Sequence, residues 1–153
     1  MAKKGTILIV EDDERYCRRY QKMLSGQAYH IKITMDIPAA EAELNRLHPD
    51  VVLLDLRFPP LDNPEEGLSF LEIVKNLDPF IKVIVVTGVS DREIALKAIE
   101  RGAYDFVQKD TKQRTELAFR VNQAFEKAQL ERELVAFKQK QVSQIGGYFY
   151  GPG

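Results

Sequence analysis

Glu11-Asp12-Asp13, Asp55, Thr87 and Lys109 are the residues of this sequence whose types and spacing could do chemistry together. Each closes or follows a short apolar run. Thr6-Ile7-Leu8-Ile9-Val10 precedes the acids, and Asp50-Val51-Val52-Leu53-Leu54 precedes Asp55. Ile81-Lys82-Val83-Ile84-Val85-Val86 precedes Thr87, and Tyr104-Asp105-Phe106-Val107 leads to Lys109. Carboxylates crowded at one place repel and raise one another's pKa unless something compensates them. Magnesium, a hard divalent cation that prefers oxygen ligands, is the natural compensation. A lysine and a hydroxyl opposite the metal would bind an anionic group held at Asp55. The pattern suits transfer of a phosphoryl group to an aspartate nucleophile, with metal and lysine neutralising charge.

The elements that would bring these residues together are legible in the hydrophobic pattern. The first three runs above read as buried strands and the Tyr104 run as a further strand, and His30-Ile31-Lys32-Ile33-Thr34 alternates as a fifth. Between them lie helical stretches. Asp12 or Asp13 caps a helix to about Ser25, which Gly26 ends, with Tyr16, Tyr20, Met23 and Leu24 on its apolar side. Pro38 opens a helix to Leu47, closed by His48-Pro49. Arg57 to Glu66 holds three prolines and reads as a loop, followed by a helix over Gly67–Leu77 with Leu68, Leu71 and Val74 inward. Ser90 or Asp91 caps a helix to about Arg101, ended by Gly102, and a last helix starts near Thr111 and runs past Ala136. Strands alternating with helices of crossover length give one five-stranded parallel sheet covered on both faces. In such a sheet all the strand ends named above lie on one edge, where ligands collect.

Bulk composition narrows the field. The 153 residues suit one domain with a sizeable core, and 44% hydrophobic with 29% charged residues is ordinary for a globular chain. A formal net charge of −1 gives no whole-chain case for nucleic acid or membrane binding. The single cysteine, Cys17, excludes an internal disulfide framework and fits a reducing compartment. There is no apolar run of membrane-spanning length, and residues 1–6 do not read as a signal peptide, so the expected location is cytoplasmic.

With these residues in place the sequence resembles the receiver domain of bacterial two-component response regulators. The pieces that carry the resemblance are Val10-Glu11-Asp12-Asp13, Leu53-Leu54-Asp55-Leu56, Val86-Thr87-Gly88, Gly102-Ala103-Tyr104-Asp105-Phe106 and Lys109. Each is weak alone; in order, at strand ends and across residues 6 to about 126, they are specific. The resemblance implies a flavodoxin-like, doubly wound fold. It implies that Asp55 accepts a phosphoryl group from a histidine kinase, and that Glu11, Asp12 and Asp55 hold Mg2+ with the backbone carbonyl of Arg57. Asp13 competes for a place in that metal set. Thr87 would turn its hydroxyl toward the phosphoryl group, and Lys109 would pair with a phosphoryl oxygen. Phe106 would be the partly buried aromatic whose position follows Thr87; Tyr104, two residues earlier, is expected to pack in the core. Such a domain is not an enzyme in the usual sense, since it catalyses only its own phosphoryl transfer and dephosphorylation. The sequence departs from the family in a longer loop after Asp55 and in Asp110, where proline is usual after the lysine.

Two other classes compete. An aspartate-nucleophile phosphatase or phosphomutase carries a second aspartate two residues after the first, but that position is Arg57. A flavodoxin-like cofactor module needs a glycine- and hydroxyl-rich phosphate loop after its first strand, and Glu11-Asp12-Asp13-Glu14 would repel a phosphate there. His30 and His48 have no ligand spacing and read as surface or helix-end residues, while Cys17 reads as a small buried side chain.

The expected division is a receiver domain over 1–126 and a helical extension with a glycine-rich tail over 127–153. Leu117, Val121, Ala124 and Ala128 recur at helical spacing and should face the sheet; Leu130, Leu134 and Phe137 then form a new apolar line, with Ile145 beyond it. That line suggests a homodimer through the C-terminal helix. Residues 112–142 carry seven basic and four acidic side chains, a net of +3, without a DNA-reading motif, so no direct nucleic-acid contact is expected. The Gly-Pro-Gly end reads as a linker or truncation, which leaves the output to a downstream effector protein or a missing effector domain.

Overall fold

The computed structural model describes residues 4–56, 64–88, 91–109 and 114–149, with the backbone alone at 114, 115 and 145–149. Five strands alternate with five helices: β1 (Gly5–Val10), α1 (Glu14–Leu24), β2 (Tyr29–Thr34), α2 (Ile37–Leu47), β3 (Val51–Asp55), α3 (Glu65–Leu77), β4 (Lys82–Thr87), α4 (Arg92–Glu100), β5 (Asp105–Gln108) and α5 (Arg114–Phe149). The strands form one parallel sheet in the order β2-β1-β3-β4-β5. β3 is central, which is why its residues read as an unbroken apolar run: both faces are covered.

Side-chain alternation along the strands divides the core. Leu8, Val10, Val52, Leu54, Val83 and Val85 point to the layer of α2, α3 and α4, where Phe70, Leu71 and Leu44 are buried. Ile7, Ile9, Val51, Leu53, Ile84 and Val86 point to α1 and α5, against Leu24, Tyr20, Val121 and Ala124. Both helical layers are thus anchored to the same strands that deliver the acids and Thr87.

The helix ends follow from local chemistry. Asp13 caps α1 by accepting from the Arg15 amide, and Gly26 closes it at φ +83°. Asp36, which the sequence reading passed over, caps α2 through the Ala39 amide, with Pro38 in the first turn. α3 starts at Glu65, two residues before the expected Gly67, because Pro64 is compatible with a helix entry. Gly67 has a different reason to be there. A Cβ at this position would lie 3.0 Å from both the Cα and the carbonyl oxygen of Leu56. Gly67→Ala should therefore lower the urea midpoint by the equivalent of about 1–2 kcal/mol, the overpacking cost exceeding the gain in helix propensity of about 1 kcal/mol. An unchanged or raised midpoint would show that α3 can shift away from β3.

One expectation needs correction. Tyr104 is not in the core; it is 36% exposed at the entry to the edge strand β5, with the Lys82 ammonium 5.9 Å from its ring centroid. Phe106 is 37% exposed, on the outward side of β5, where Val107 faces the core. α5 continues to Phe149, through Gly146 and Gly147 of the glycine-rich tail. Glycine costs about 1 kcal/mol in a helix and does not by itself end one. No helix among the described residues is long and apolar enough to cross a membrane.

Candidate functional site

The site lies at the carboxyl edge of the sheet, where the chain order reverses between β1 and β3. β1 ends at Val10, and the ladder is carried one residue further by the Glu11 amide donating to Thr34. This holds Glu11 in the body of the protein, 1% exposed, while Asp12 stands at the rim. β3 delivers Asp55, 6% exposed, from the neighbouring strand. Carboxylate oxygens of Glu11, Asp12 and Asp55 all lie within 4.8 Å of one another. β4 delivers Thr87, and the Lys109 amide donates to the Thr87 carbonyl, which fixes the lysine just beyond β5.

The Lys109 ammonium reaches into the acidic cluster. It is 3.0 Å from Glu11 Oε1 and 3.0 Å from Asp55 Oδ2. Burial opposes its charge, but the carboxylates of Asp55 and Glu11 outweigh that and hold its pKa above the ordinary lysine value. Glu11 goes the other way from an ordinary surface acid. Burial first, then the charge of Asp55, push its pKa up to about 8, although Lys109 pulls it down.

A cleft of about 320 Å³ opens over this cluster, lined by Asp12, Asp55, Thr87, Gly88, Asp91 and Lys109 among others. Thr87 also borders a second cavity of about 290 Å³, shared with Arg92, Ala95, Phe106 and Gln108. One hydroxyl-bearing residue thus stands between the acidic cleft and the side of the molecule that carries Phe106.

Asp13 is outside the acidic set. Its carboxylate is engaged with Arg15, through the backbone amide and two guanidinium contacts, which hold its pKa at about 2. The Arg57 carbonyl and Asp110 lie outside the described residues. Cys17 behaves as expected: burial pushes the thiol up to about 11, and its Sγ donates to the Glu11 carbonyl. Three residues at the site escaped the sequence reading. Tyr16 lies over Lys109, and the Tyr20 hydroxyl donates to Glu11. Asp91 shares with Ser90, which lies outside the described residues, the expectation of a helix cap; it makes no side-chain capping bond and is buried at the cleft. Helical spacing had placed the tyrosines on the apolar side of α1, and nothing local reveals that this side ends at the acids.

The model of the response regulator receiver domain family matches residues 7–122. The chain belongs to that family. Among its relatives is the nitrogen assimilation regulatory protein NtrX of Azorhizobium caulinodans, 31% identical over 133 residues that make up 87% of this chain and 29% of the relative. Another is the transcriptional regulatory protein ZraR of Salmonella typhimurium, 32% identical over 106 residues, 69% of this chain and 23% of the relative. The chain therefore spans less than a third of the length of these relatives. The solved receiver domain of NtrX from Brucella abortus superposes with a TM-score of 0.70 at 31% identity, over 78% of this chain and 98% of that one. A CheY-like receiver domain protein from Methanospirillum hungatei, at 23% identity, matches with a TM-score of 0.73 over 86% of this chain and 99% of that one and shows the shared fold. The receiver domain is a phosphorylation-dependent signalling module, and neither the phosphatase nor the cofactor-binding alternative gains a supporting feature.

Proposed function

We propose that this receiver domain accepts a phosphoryl group on Asp55 from a phosphohistidine of a partner kinase. The observation that carries the reading is the placement of a buried Asp55 carboxylate beside one ammonium and two further carboxylates at the sheet edge. An Asp55 oxygen attacks phosphorus and forms the P–O bond. The P–N bond breaks, its electron pair stays on the imidazole nitrogen, and that nitrogen takes a proton from solvent. Lys109 moves from Asp55 to a phosphoryl oxygen, and Thr87 offers its hydroxyl to another. Hydrolysis of the acyl phosphate, the domain's only other reaction, restores Asp55.

Glu11, Asp12 and Asp55 are the residues that would hold Mg2+. Their donors are the hard oxygens this ion prefers, clustered closely enough for one ion to share. When bound, magnesium neutralises the charge carried by the phosphoryl oxygens. Glu11 must be ionised to serve, and its pKa near 8 makes the proton a competitor. Magnesium affinity measured by calorimetry should rise about tenfold per pH unit from pH 6 toward 8 and then level off. An affinity constant over that range would remove Glu11 from the ligand set. Without metal the sign reverses for stability: a pKa raised from 4.5 to about 8 on folding makes the folded state lose stability as pH rises through that window.

The cavity shared by Thr87 and Phe106 supports a switch in which Phe106 follows Thr87 and changes the surface of β4, α4 and β5. Residues 1–126 form the receiver unit and 127–153 the extension. The extension supports a homodimer. Leu130, Leu134 and Phe137 are 50–63% exposed, and Phe119 continues the same helix face back into the receiver unit. The opposite side of α5 is held to the sheet: Arg132 is 3.1 Å from Asp78 and 3.8 Å from Asp50, and Glu131 pairs with Lys82. This bracket aims the apolar stripe outward. Burying three such side chains against a second copy contributes roughly 5 kcal/mol before association costs. Sedimentation equilibrium should show dimers of the full chain and monomers of a version ending at Gln129. Monomers of both, with and without phosphorylation, would exclude this pairing. The output then passes to an effector protein or effector domain.

A further inference from the structure

The two tyrosines of α1 stand at the site with no part in the reaction as described. Tyr16 and Tyr20 are one helical turn apart, their ring centroids 6.1 Å from each other. The centroid of the Tyr16 ring is 4.4 Å from Lys109 Nζ, within cation–π range. Arg19 approaches the same ring at 5.0 Å. Tyr20 is 4% exposed, and its hydroxyl donates to Glu11 Oε1 at 3.4 Å. The other Glu11 oxygen accepts from the Asp13 amide at 3.2 Å.

We propose that Tyr16 and Tyr20 are positioning residues that brace the site from α1, Tyr16 holding the Lys109 ammonium and Tyr20 holding the Glu11 carboxylate. The inference rests on the acceptor reading given above. Phosphoryl transfer asks the protein mainly for placement and charge compensation. Lysine is poorly suited to fixed placement, since a flexible four-carbon stem carries its charge. In the resting site Asp55 and Glu11 anchor that charge. Once Asp55 carries the phosphoryl group, its free carboxylate is gone and Lys109 must move to a phosphoryl oxygen, whereas the Tyr16 ring face is unchanged by the reaction. Glu11 poses the matching problem. A cation needs one of its oxygens at a defined angle and needs its full negative charge. A phenol is a neutral donor, so Tyr20 can fix the carboxylate without compensating it, which Lys109 cannot do. Partners of this kind, one bond behind a metal ligand, set its orientation and affinity.

The two halves of the brace separate experimentally in the full chain. Tyr20→Phe keeps the buried ring and removes only the hydroxyl. It should weaken binding of Mg2+ alone, measured by calorimetry, about tenfold. Tyr16→Leu should leave magnesium affinity unchanged. It should lower both the rate of phosphorylation by acetyl phosphate at saturating magnesium and the affinity for beryllofluoride, a phosphoryl mimic, about fivefold, and Tyr16→Phe should restore both because the ring face remains. The brace is overturned if both variants bind magnesium and react like the wild type, or if Tyr16→Phe is as impaired as Tyr16→Leu. It is equally overturned if each variant loses both properties in step with its unfolding midpoint, which is the mark of simple packing. A wild-type chain that takes up no phosphoryl group would instead refute the acceptor reading, and the magnesium titration of Tyr20→Phe would still judge Tyr20.

Discussion

Asp55→Asn should abolish phosphoryl uptake and leave the fold standing. The amide has nearly the shape of the carboxylate but lacks the oxyanion that attacks phosphorus. Its surroundings tolerate the change. The Asn oxygen can still accept from Lys109, now 3.0 Å from an Asp55 oxygen, and one of three crowded negative charges disappears. Loss of a charged hydrogen bond costs about 1–2 kcal/mol, and relief of repulsion offsets part of it. Intact mass after incubation with acetyl phosphate and magnesium should show no adduct on the variant, while its urea midpoint stays close to wild type. Full-stoichiometry phosphorylation of Asp55→Asn would place the acceptor elsewhere.

Lys109→Ala should slow phosphorylation about 100-fold, the usual effect of removing one preorganised charge that meets developing negative charge. Its effect on folding should be smaller. Removing the ammonium leaves Glu11 and Asp55 facing each other in a buried place, which for a fixed ion pair costs about 3–5 kcal/mol. Glu11, however, is already displaced toward the protonated form, with a pKa of about 8 set first by burial and then by Asp55, and losing Lys109 shifts it further the same way, so that no uncompensated charge pair is left there. That limits the penalty to about 1–3 kcal/mol, within the 5–15 kcal/mol that holds a domain of this size together. Stopped acetyl phosphate time courses and urea titration separate the two. A variant that unfolds at neutral pH, or one that folds and reacts at the wild-type rate, would make Lys109 a structural residue only.

The parts of the molecule that the sequence revealed are those with a local signature. Central parallel strands are covered on both faces, so β3 and the Val83–Val86 stretch of β4 had to be apolar runs, and their ends had to carry Asp55 and Thr87 to one edge. Caps were legible where an acid precedes a helical pattern, as at Asp13. What escaped depends on partners far along the chain. Tyr16 and Tyr20 have the same spacing whether they meet a core or a lysine that follows β5. Arg132, Asp50 and Asp78 are distant in sequence and meet only because α5 runs past the amino edge of the sheet. Tyr104 was misplaced because an aromatic next to an apolar strand usually packs inward, whereas β5 is an edge and Lys82 offers the ring a cation at the surface. Phe106 followed the same strand to the outside. The acidic residues were the opposite case: three carboxylates at one sheet edge repel without a partner, so their presence already implied a cation site.

The most direct measurement is intact mass and peptide mapping of the full chain after incubation with acetyl phosphate, with magnesium and with chelator. The account predicts one phosphoryl group per chain, located on Asp55 and formed only with magnesium. Uptake that persists at the same rate in chelator, a phosphoryl group on another residue, or no uptake at all would contradict it.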